Sequence, residues 1–213
     1  MDKSRFINFL TNSNALKVGE FITKSGRRTP YFINTGSIDD GIKLRTLGEF
    51  YAEVVYHNFP SVTLLFGPAY KGISLSVITA LKLYELYGLN VKVSFNRKEV
   101  KDHGEGGVII GSQITSGDNV VIVEDVITSG ISIRESINIL RSNGNPKILG
   151  VVVSVDRMEK GEGEMLASEE IRKNFGIEVI SIVNAYDILN YIKTNKLVED
   201  EVINEIERYL KSV

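Results

Sequence analysis

Apolar positions along this chain come in two rhythms. Near-continuous apolar runs cover residues 61–66, 91–95, 120–123, 147–155 and 179–183. Runs of this length, rich in Val and Ile, predict strands buried on both faces. Between them, apolar residues recur every three or four positions, as one face of a helix requires. Leu47, Phe50, Tyr51, Val54 and Val55 predict a helix that Asp39 and Asp40 can cap and that runs to about Asn58. Ile133, Ile137 and Leu140 predict another, ending at the C-cap signal Asn143-Gly144. Val202, Ile206, Tyr209 and Leu210 share one face of a last helix over residues 199–211. Shorter helical patterns cover residues 2–13, 168–174 and 184–194, and one follows residues 67–72 to about Tyr87.

Strands that alternate with helices predict a parallel sheet with helices on both faces. Residues 18–35 predict a hairpin, turning through Ser25-Gly26-Arg27-Arg28-Thr29-Pro30, which with the first helix caps one end. Residues 108–114 are a further short apolar segment, and no linker-like stretch divides the chain.

Composition narrows the function classes. The 213 residues are 43% hydrophobic and 24% charged, as in an ordinary globular protein. A net charge of −2 provides no general basic field, so nucleic acid is not an expected partner. The sequence has no cysteine, which excludes disulfides and thiolate metal sites and fits a cytoplasmic protein. Met1-Asp2-Lys3-Ser4-Arg5-Phe6 lacks a signal-peptide core, and no apolar run approaches the ~20 residues of a membrane span.

Three stretches carry candidate chemistry. In the first, the run Val120-Val121-Ile122-Val123 passes directly into Glu124-Asp125-Val126-Ile127-Thr128-Ser129-Gly130, and a helix begins near Ile131. A strand ending in acids, a hydroxyl-rich turn and a helix start suit a phosphorylated sugar. Helix-start N–H groups favour the phosphate, and carboxylates accept hydrogen bonds from sugar hydroxyls or sit near a metal that the substrate carries. Open α/β sheets bind ligands at this carboxyl edge. The second stretch, Gly67-Pro68-Ala69-Tyr70-Lys71-Gly72, brings backbone amides and a lysine towards an anion, although it is not a Walker loop. The third covers residues 96–107 and holds Arg97, Lys98, Lys101 and His103 among glycines, as a lid closing over a polyanion would. Read in isolation it is a solvated charge run, since Glu99, Asp102 and Glu105 nearly balance its cations. Lys24, Arg27 and Arg28 read by themselves as solvated turn charges, and His57 as a surface residue at a helix end.

Set side by side, these stretches resemble the type I phosphoribosyltransferases, and within them the orotate phosphoribosyltransferases of the bacterial and fungal type. The likeness covers nearly the whole chain. It rests on residues 121–130, on Lys24-Ser25-Gly26-Arg27 with Pro30-Tyr31-Phe32, on residues 67–72 and on residues 97–106, in that order. The resemblance implies an α/β fold with a mostly parallel, five-stranded central sheet and a small hood drawn mainly from residues 1–38 and the C-terminal region, all in a single domain of residues 1–213. It also implies transfer of a phosphoribosyl group from 5-phosphoribosyl 1-diphosphate to orotate, with Mg²⁺ as cofactor, in a homodimer whose lid reaches into the partner's site. By the same resemblance, Glu124 and Asp125 hold the ribose hydroxyls and stand near the metal, through water or substrate. Val126, Ile127, Thr128, Ser129, Gly130, Ile131 and Ser132 cradle the 5′-phosphate. Tyr70, Lys71, Arg97, Lys98, Lys101 and His103 contact the diphosphate, with Lys101, Arg97, His103 and Asp125 as the catalytic set. Lys24, which also counts among the residues binding this substrate, joins Phe32, Ile33, Thr128 and Arg157 around orotate.

The residues themselves agree with that implication. Negative charge grows on a departing diphosphate, and a cationic lid on glycine hinges both meets that charge and excludes water. An arginine's forked donors suit a planar carboxylate, and Arg157 closes the long strand beginning at Lys147; its alternative is an ion pair with Asp156 or Glu159. Two positions depart from the family pattern. Many relatives carry aspartate where Glu124 stands, and the extra methylene moves its carboxylate by about one bond length. Many carry an aromatic residue where Ile33 stands, leaving only apolar contact to a base. The alternatives are a phosphoribosyltransferase for another nucleobase and a non-catalytic regulatory protein of the same fold.

Overall fold

Val120, Val121, Ile122 and Val123 have no exposed surface, which is what a central strand in a two-sided sheet demands. They lie in β6 (Asn119–Ile127), flanked by β3 (Leu64–Gly67) and β7 (Lys147–Asp156). Beyond these lie β4 (Lys92–Asn96), paired with β3, and β8 (Glu178–Asn184), paired with β7. All five pair in parallel, as the alternating pattern requires. A sixth strand, β5 (Ile109–Gly111), extends the sheet antiparallel to β4 and completes the order β5-β4-β3-β6-β7-β8. The five-strand expectation omitted it because three edge residues are too few to show a period. The structure is a computed structural model and describes residues 2–22, 28–98 and 107–213.

Successive side chains of a strand point to opposite faces, and the apolar residues divide accordingly. Val121, Val123 and Val152 pack with α2 (Gly41–Asn58), α3 (Lys71–Tyr87) and the helices near the termini. Ile122, Val151 and Val153 pack on the other face with α4 (Ile131–Ser142) and α5 (Ala167–Phe175). The helices begin and end as the sequence indicates. The Asp40 carboxylate accepts the Lys43 N–H at 2.9 Å and caps α2, while Gly88, at φ +66°, closes α3 in the left-handed conformation.

The N-terminal segment builds the hood. After α1 (Lys3–Asn12), strands β1 (Leu16–Ile22) and β2 (Arg28–Ile33) form an antiparallel pair with Leu16 opposite Ile33 and Val18 opposite Tyr31. The chain ends in α6 (Ala185–Thr194) and α7 (Asp200–Ser212), and α7 packs back on β2. The Tyr31 and Tyr209 rings meet edge to face at 5.9 Å. Phe6, Tyr31, Phe50 and Leu210 belong to the same buried cluster as Val121 and Val152.

At the edge of the sheet opposite the carboxyl ends, Asp118 fixes the start of β6. Its carboxylate is 2.5 Å from the Lys92 ammonium and accepts the Thr115 N–H at 2.9 Å and the Thr63 hydroxyl at 3.2 Å. Burial alone would raise its pKa, but the Lys92 and Thr115 donors outweigh that and hold it down at about 2. A depressed carboxylate stabilises the fold above its unfolded pKa and loses that stabilisation as pH falls through the folded one. Asp118→Asn should therefore cost about 2 kcal/mol at pH 7. The difference from wild type in denaturant melts should shrink as pH drops from about 4 towards 2; a gap constant with pH would refute the account.

Candidate active site

The β6–β7 ladder runs through Glu124↔Val153, Val126↔Val155 and Ile127↔Asp156. The two acids therefore sit inside the strand, not after it as the end of the apolar run suggested. Backbone pairing does not depend on side-chain polarity, so the ladder continues where the hydrophobic signal stops. Alternation then sends the two carboxylates to opposite faces. Glu124 accepts the Ser132 hydroxyl at 2.6 Å on the α4 side. Asp125 accepts the Thr35 hydroxyl at 2.9 Å and the Lys71 ammonium at 2.6 Å on the other side.

The main chain between them is clamped. The fully buried Tyr51 of α2 donates its hydroxyl to the Glu124 carbonyl at 2.7 Å, and Ser154 of β7 donates its hydroxyl to the Asp125 carbonyl. Glu124 is 8% exposed. Burial first, and the neighbouring Asp125 charge second, push its pKa up to about 7 against the pull of the Ser132 and Asp125 donors. Thr35 lies in the short 3-10 turn Thr35–Ser37 that follows β2, so the hood itself touches the carboxylate.

Beside this pair, the β3–α3 loop comes close to β6. A Cβ on Gly67 would lie 2.0 Å from the Gly72 carbonyl oxygen, and one on Gly72 would lie 2.9 Å from that of Val123. Only glycine permits that approach. The Ala69–Tyr70 peptide is cis, and the Ala69 N–H donates to the Asn96 side chain at 2.9 Å. Tyr70 is exposed, with the Lys98 ammonium 5.7 Å from its ring centre. Arg97 donates its N–H to the Val108 carbonyl at 2.8 Å, closing the base of the long loop. Lys24, Lys101 and His103 lie outside the described residues.

On the Glu124 side, Gly130 turns the chain at φ +76° into α4, and no side chain caps that helix. Residues 126–133 with Glu124 line a pocket of about 110 Å³ at its start. Thr128 is exposed at the rim and Ser129 is half-buried. Uncapped helix N–H groups beside a small pocket are suited to an anion.

Arg157 sits at the end of β7, its N–H donating to the Ile127 carbonyl at 3.1 Å. The side chain is buried, and it makes the alternative ion pair, with Glu159 at 2.7 Å, in place of an open site for a carboxylate ligand. Nη2 also donates to the Tyr209 hydroxyl at 3.1 Å, and the guanidinium carbon lies 4.9 Å from the Tyr31 ring centre. Burial works against its charge, but the Tyr31 and Glu159 surroundings outweigh burial and keep the guanidinium protonated. Phe32 is half-buried and stacks on Phe21 at 5.5 Å between ring centres, while Ile33 packs into the main core.

The carboxyl ends of β3, β6 and β7 thus gather the paired acids, Lys71, the α4 turn and Arg157. Sequence reasoning missed Thr35, Tyr51, Asn96 and Ser154. Thr35 lies 90 residues from Asp125 in the chain, and no local pattern marks a partner at that distance.

Comparison with known proteins gives a consistent picture. Residues 36–185 match the family described as phosphoribosyl transferase domain. The chain is 46% identical to orotate phosphoribosyltransferase of Clostridium beijerinckii, over 98% of this chain and 96% of that one. It superposes on the crystal structure of orotate phosphoribosyltransferase of Francisella tularensis with a TM-score of 0.85, at 36% identity and over 98% of both chains. The Mycobacterium tuberculosis orotate phosphoribosyltransferase in complex with 5-phospho-α-D-ribosyl 1-diphosphate shares the fold, with a TM-score of 0.66 and 19% identity over 88% of this chain and 99% of that one.

The raised pKa of Glu124 has a defined sign. Stability conferred by its protonated form is complete below about pH 4.5 and is lost as pH rises through about 7. That loss is on the order of 3 kcal/mol. Glu124→Gln should therefore melt above wild type at pH 8 in the absence of ligand and metal, with the gap closing towards pH 4.5. A calorimetric pH series checks this; a mutant less stable than wild type at pH 8 would show that the ionised carboxylate is the stabilising form.

Proposed function

The chain belongs to the orotate phosphoribosyltransferases, a branch of the phosphoribosyl transferase domain family, and from that membership we infer how its site works. The protein transfers the 5-phosphoribosyl group of 5-phosphoribosyl 1-diphosphate to orotate, yielding orotidine 5′-monophosphate and diphosphate in pyrimidine biosynthesis. The bond from the ribose anomeric carbon to diphosphate oxygen breaks, and a bond to an orotate ring nitrogen forms as that nitrogen loses its proton to the departing diphosphate or to solvent. The observation that carries the site assignment is the meeting of the acid pair, Lys71 and the uncapped α4 turn at one sheet edge.

The 5′-phosphate occupies the pocket of residues 126–132, where main-chain donors need no side-chain charge. Glu124 and Asp125, on opposite faces of β6, accept hydrogen bonds from ribose hydroxyls. Lys71 pairs with Asp125 in this structure; an arriving diphosphate offers it a more highly charged partner and releases Asp125 for the sugar. Tyr70, Arg97 and Lys98 border the same side, and Lys101 and His103, outside the described residues, are assigned to the same diphosphate. These cations stand where charge grows on the leaving group, which is where electrostatic stabilisation accelerates the reaction. Arg157 is ion-paired with Glu159 in this structure, so taking the orotate carboxylate requires it to exchange that partner; Phe32, Ile33 and Thr128, with Lys24 outside the described residues, are the other positions assigned to orotate.

The donor chemistry fits Mg²⁺ only as a cation that the substrate brings. Among the described residues no group of three or more His, Asp or Glu is gathered to hold a metal. Glu124 and Asp125 offer hard oxygen donors, and Mg²⁺ is commonly shared between one or two carboxylates and substrate phosphates. When bound, it would neutralise charge on the diphosphate.

The working form is a homodimer, and α3 supplies its surface. Val77, Leu81 and Tyr84 are 41%, 58% and 62% exposed, and their spacing places them on one helical stripe. Tyr70, at the head of that stripe, belongs to the loop proposed for diphosphate. A second copy packed on the stripe would therefore sit next to that loop. A cytoplasmic location is part of the same proposal; among the described residues no helix is long and apolar enough to cross a membrane.

Orotate absorbance should fall when Mg²⁺ and 5-phosphoribosyl 1-diphosphate are added, and excess uracil or adenine should leave the rate unchanged. Folded protein with no absorbance change would overturn the assignment. In sedimentation, wild type should run near twice the chain mass of 23.7 kDa, and Leu81→Glu near that mass itself. A dimer unaffected by Leu81→Glu would place the interface elsewhere.

A further inference from the structure

Arg134 belongs to none of the motifs the sequence offers, yet its side chain is only 11% exposed. Its Nη2 donates to the Ser129 carbonyl at 2.8 Å and lies 3.2 Å from a Glu162 carboxylate oxygen. Its Nη1 donates to Glu170 at 3.2 Å. Glu170 in turn accepts the N–H groups of Glu162 at 2.9 Å and Gly163 at 3.1 Å. One guanidinium thus joins the turn between β6 and α4 to the loop between β7 and α5, which begins at Arg157.

Charge is not what this cluster contributes. One arginine set against two glutamates leaves it net negative, and a net negative group does not draw a phosphate. Its effect is geometric. In a trans peptide the C=O and the following N–H point in opposite directions. Arg134 does not line the small pocket, whereas Ser129 and Gly130 do. The Ser129 carbonyl is committed to the Arg134 guanidinium, which lies outside the pocket lining, and the trans peptide sends the Gly130 N–H the opposite way. Gly130 itself takes the left-handed φ of +76°, which favours glycine, while a Cβ there would make only an ordinary contact with Nη1 at 3.4 Å.

We propose that Arg134 is a positioning residue for the 5′-phosphate: it sets the Ser129–Gly130 peptide with its amide facing the anion. Through Glu170 it also holds that turn in register with the loop following Arg157. The proposal rests on the reading of residues 126–132 as the 5′-phosphate site.

Two probes separate its failure from the failure of that reading. Ribose 5-phosphate carries the 5′-phosphate alone, and inorganic diphosphate carries the leaving group alone. Calorimetric titration of Arg134→Gln and Arg134→Lys should show ribose 5-phosphate binding weakened about tenfold, the size expected for one lost charge-assisted contact, with diphosphate binding within about twofold of wild type. In initial-rate assays the KM for 5-phosphoribosyl 1-diphosphate should rise, while kcat and the orotate KM change far less. Lysine keeps the charge but lacks the fork that reaches three acceptors, so it should fail like glutamine. If Arg134→Gln does not fold, Arg134→Lys carries the same readouts. A lysine variant that binds ribose 5-phosphate like wild type, or equal weakening of both probes, would overturn the role of Arg134. Wild type that does not bind ribose 5-phosphate would overturn the phosphate site itself, and the proposal with it.

Discussion

Backbone pairing between β6 and β7 continues at Glu124, Val126 and Ile127 after the apolar run has ended. Two adjacent acids inside a paired strand must face opposite ways, and the rest of the site follows from that. One carboxylate enters the α4 side, where Ser132 and the small pocket stand. The other enters the α3 side, where Lys71 and Thr35 stand. A single stretch of strand thereby places a carboxylate on each face of the sheet at its carboxyl end. Tyr51 and Ser154, donating to the two backbone carbonyls, hold that stretch from α2 and from β7.

Holding two acids beside each other in a buried strand has a cost, and Glu124 shows it in its raised pKa. Asp125 has a cation on its oxygen, whereas Glu124 is met by neutral donors, Ser132 and the Asp125 amide. Near neutral pH the two positions are therefore unlike: one carboxylate is ion-paired and the other is close to its titration point. Both carboxylates are held in place by donors of the chain itself.

The hood acts on the site through polar contacts between distant parts of the chain. Thr35, just past the hairpin, touches Asp125. Tyr209, near the C-terminus, and Glu159 hold Arg157, and Tyr31 of β2 covers it. A buried arginine without such partners would be strongly destabilising, so the fit of α7 on β2 is also what allows a cation to remain under the hood. The same logic appears at Arg134, where a buried guanidinium is satisfied by two loops and thereby fixes their separation.

The sequence by itself determined the layered α/β order, because β-branched runs and helical stripes are local patterns that follow from backbone geometry. It also marked the acid pair, the two strand–loop–helix junctions and Arg157, because each lies beside a strand end visible as a change from apolar to polar. Tertiary structure decided what those residues touch. The length of β6 depended on its neighbour β7 and not on its own hydrophobicity, which is why the acids lay inside the strand. The three residues of β5 became a strand only by pairing with β4. Thr35, Tyr51 and Arg134 gained their places from contacts 90, 73 and 36 residues away. Such contacts are set by how the sheet is covered, and no periodicity along the chain encodes them.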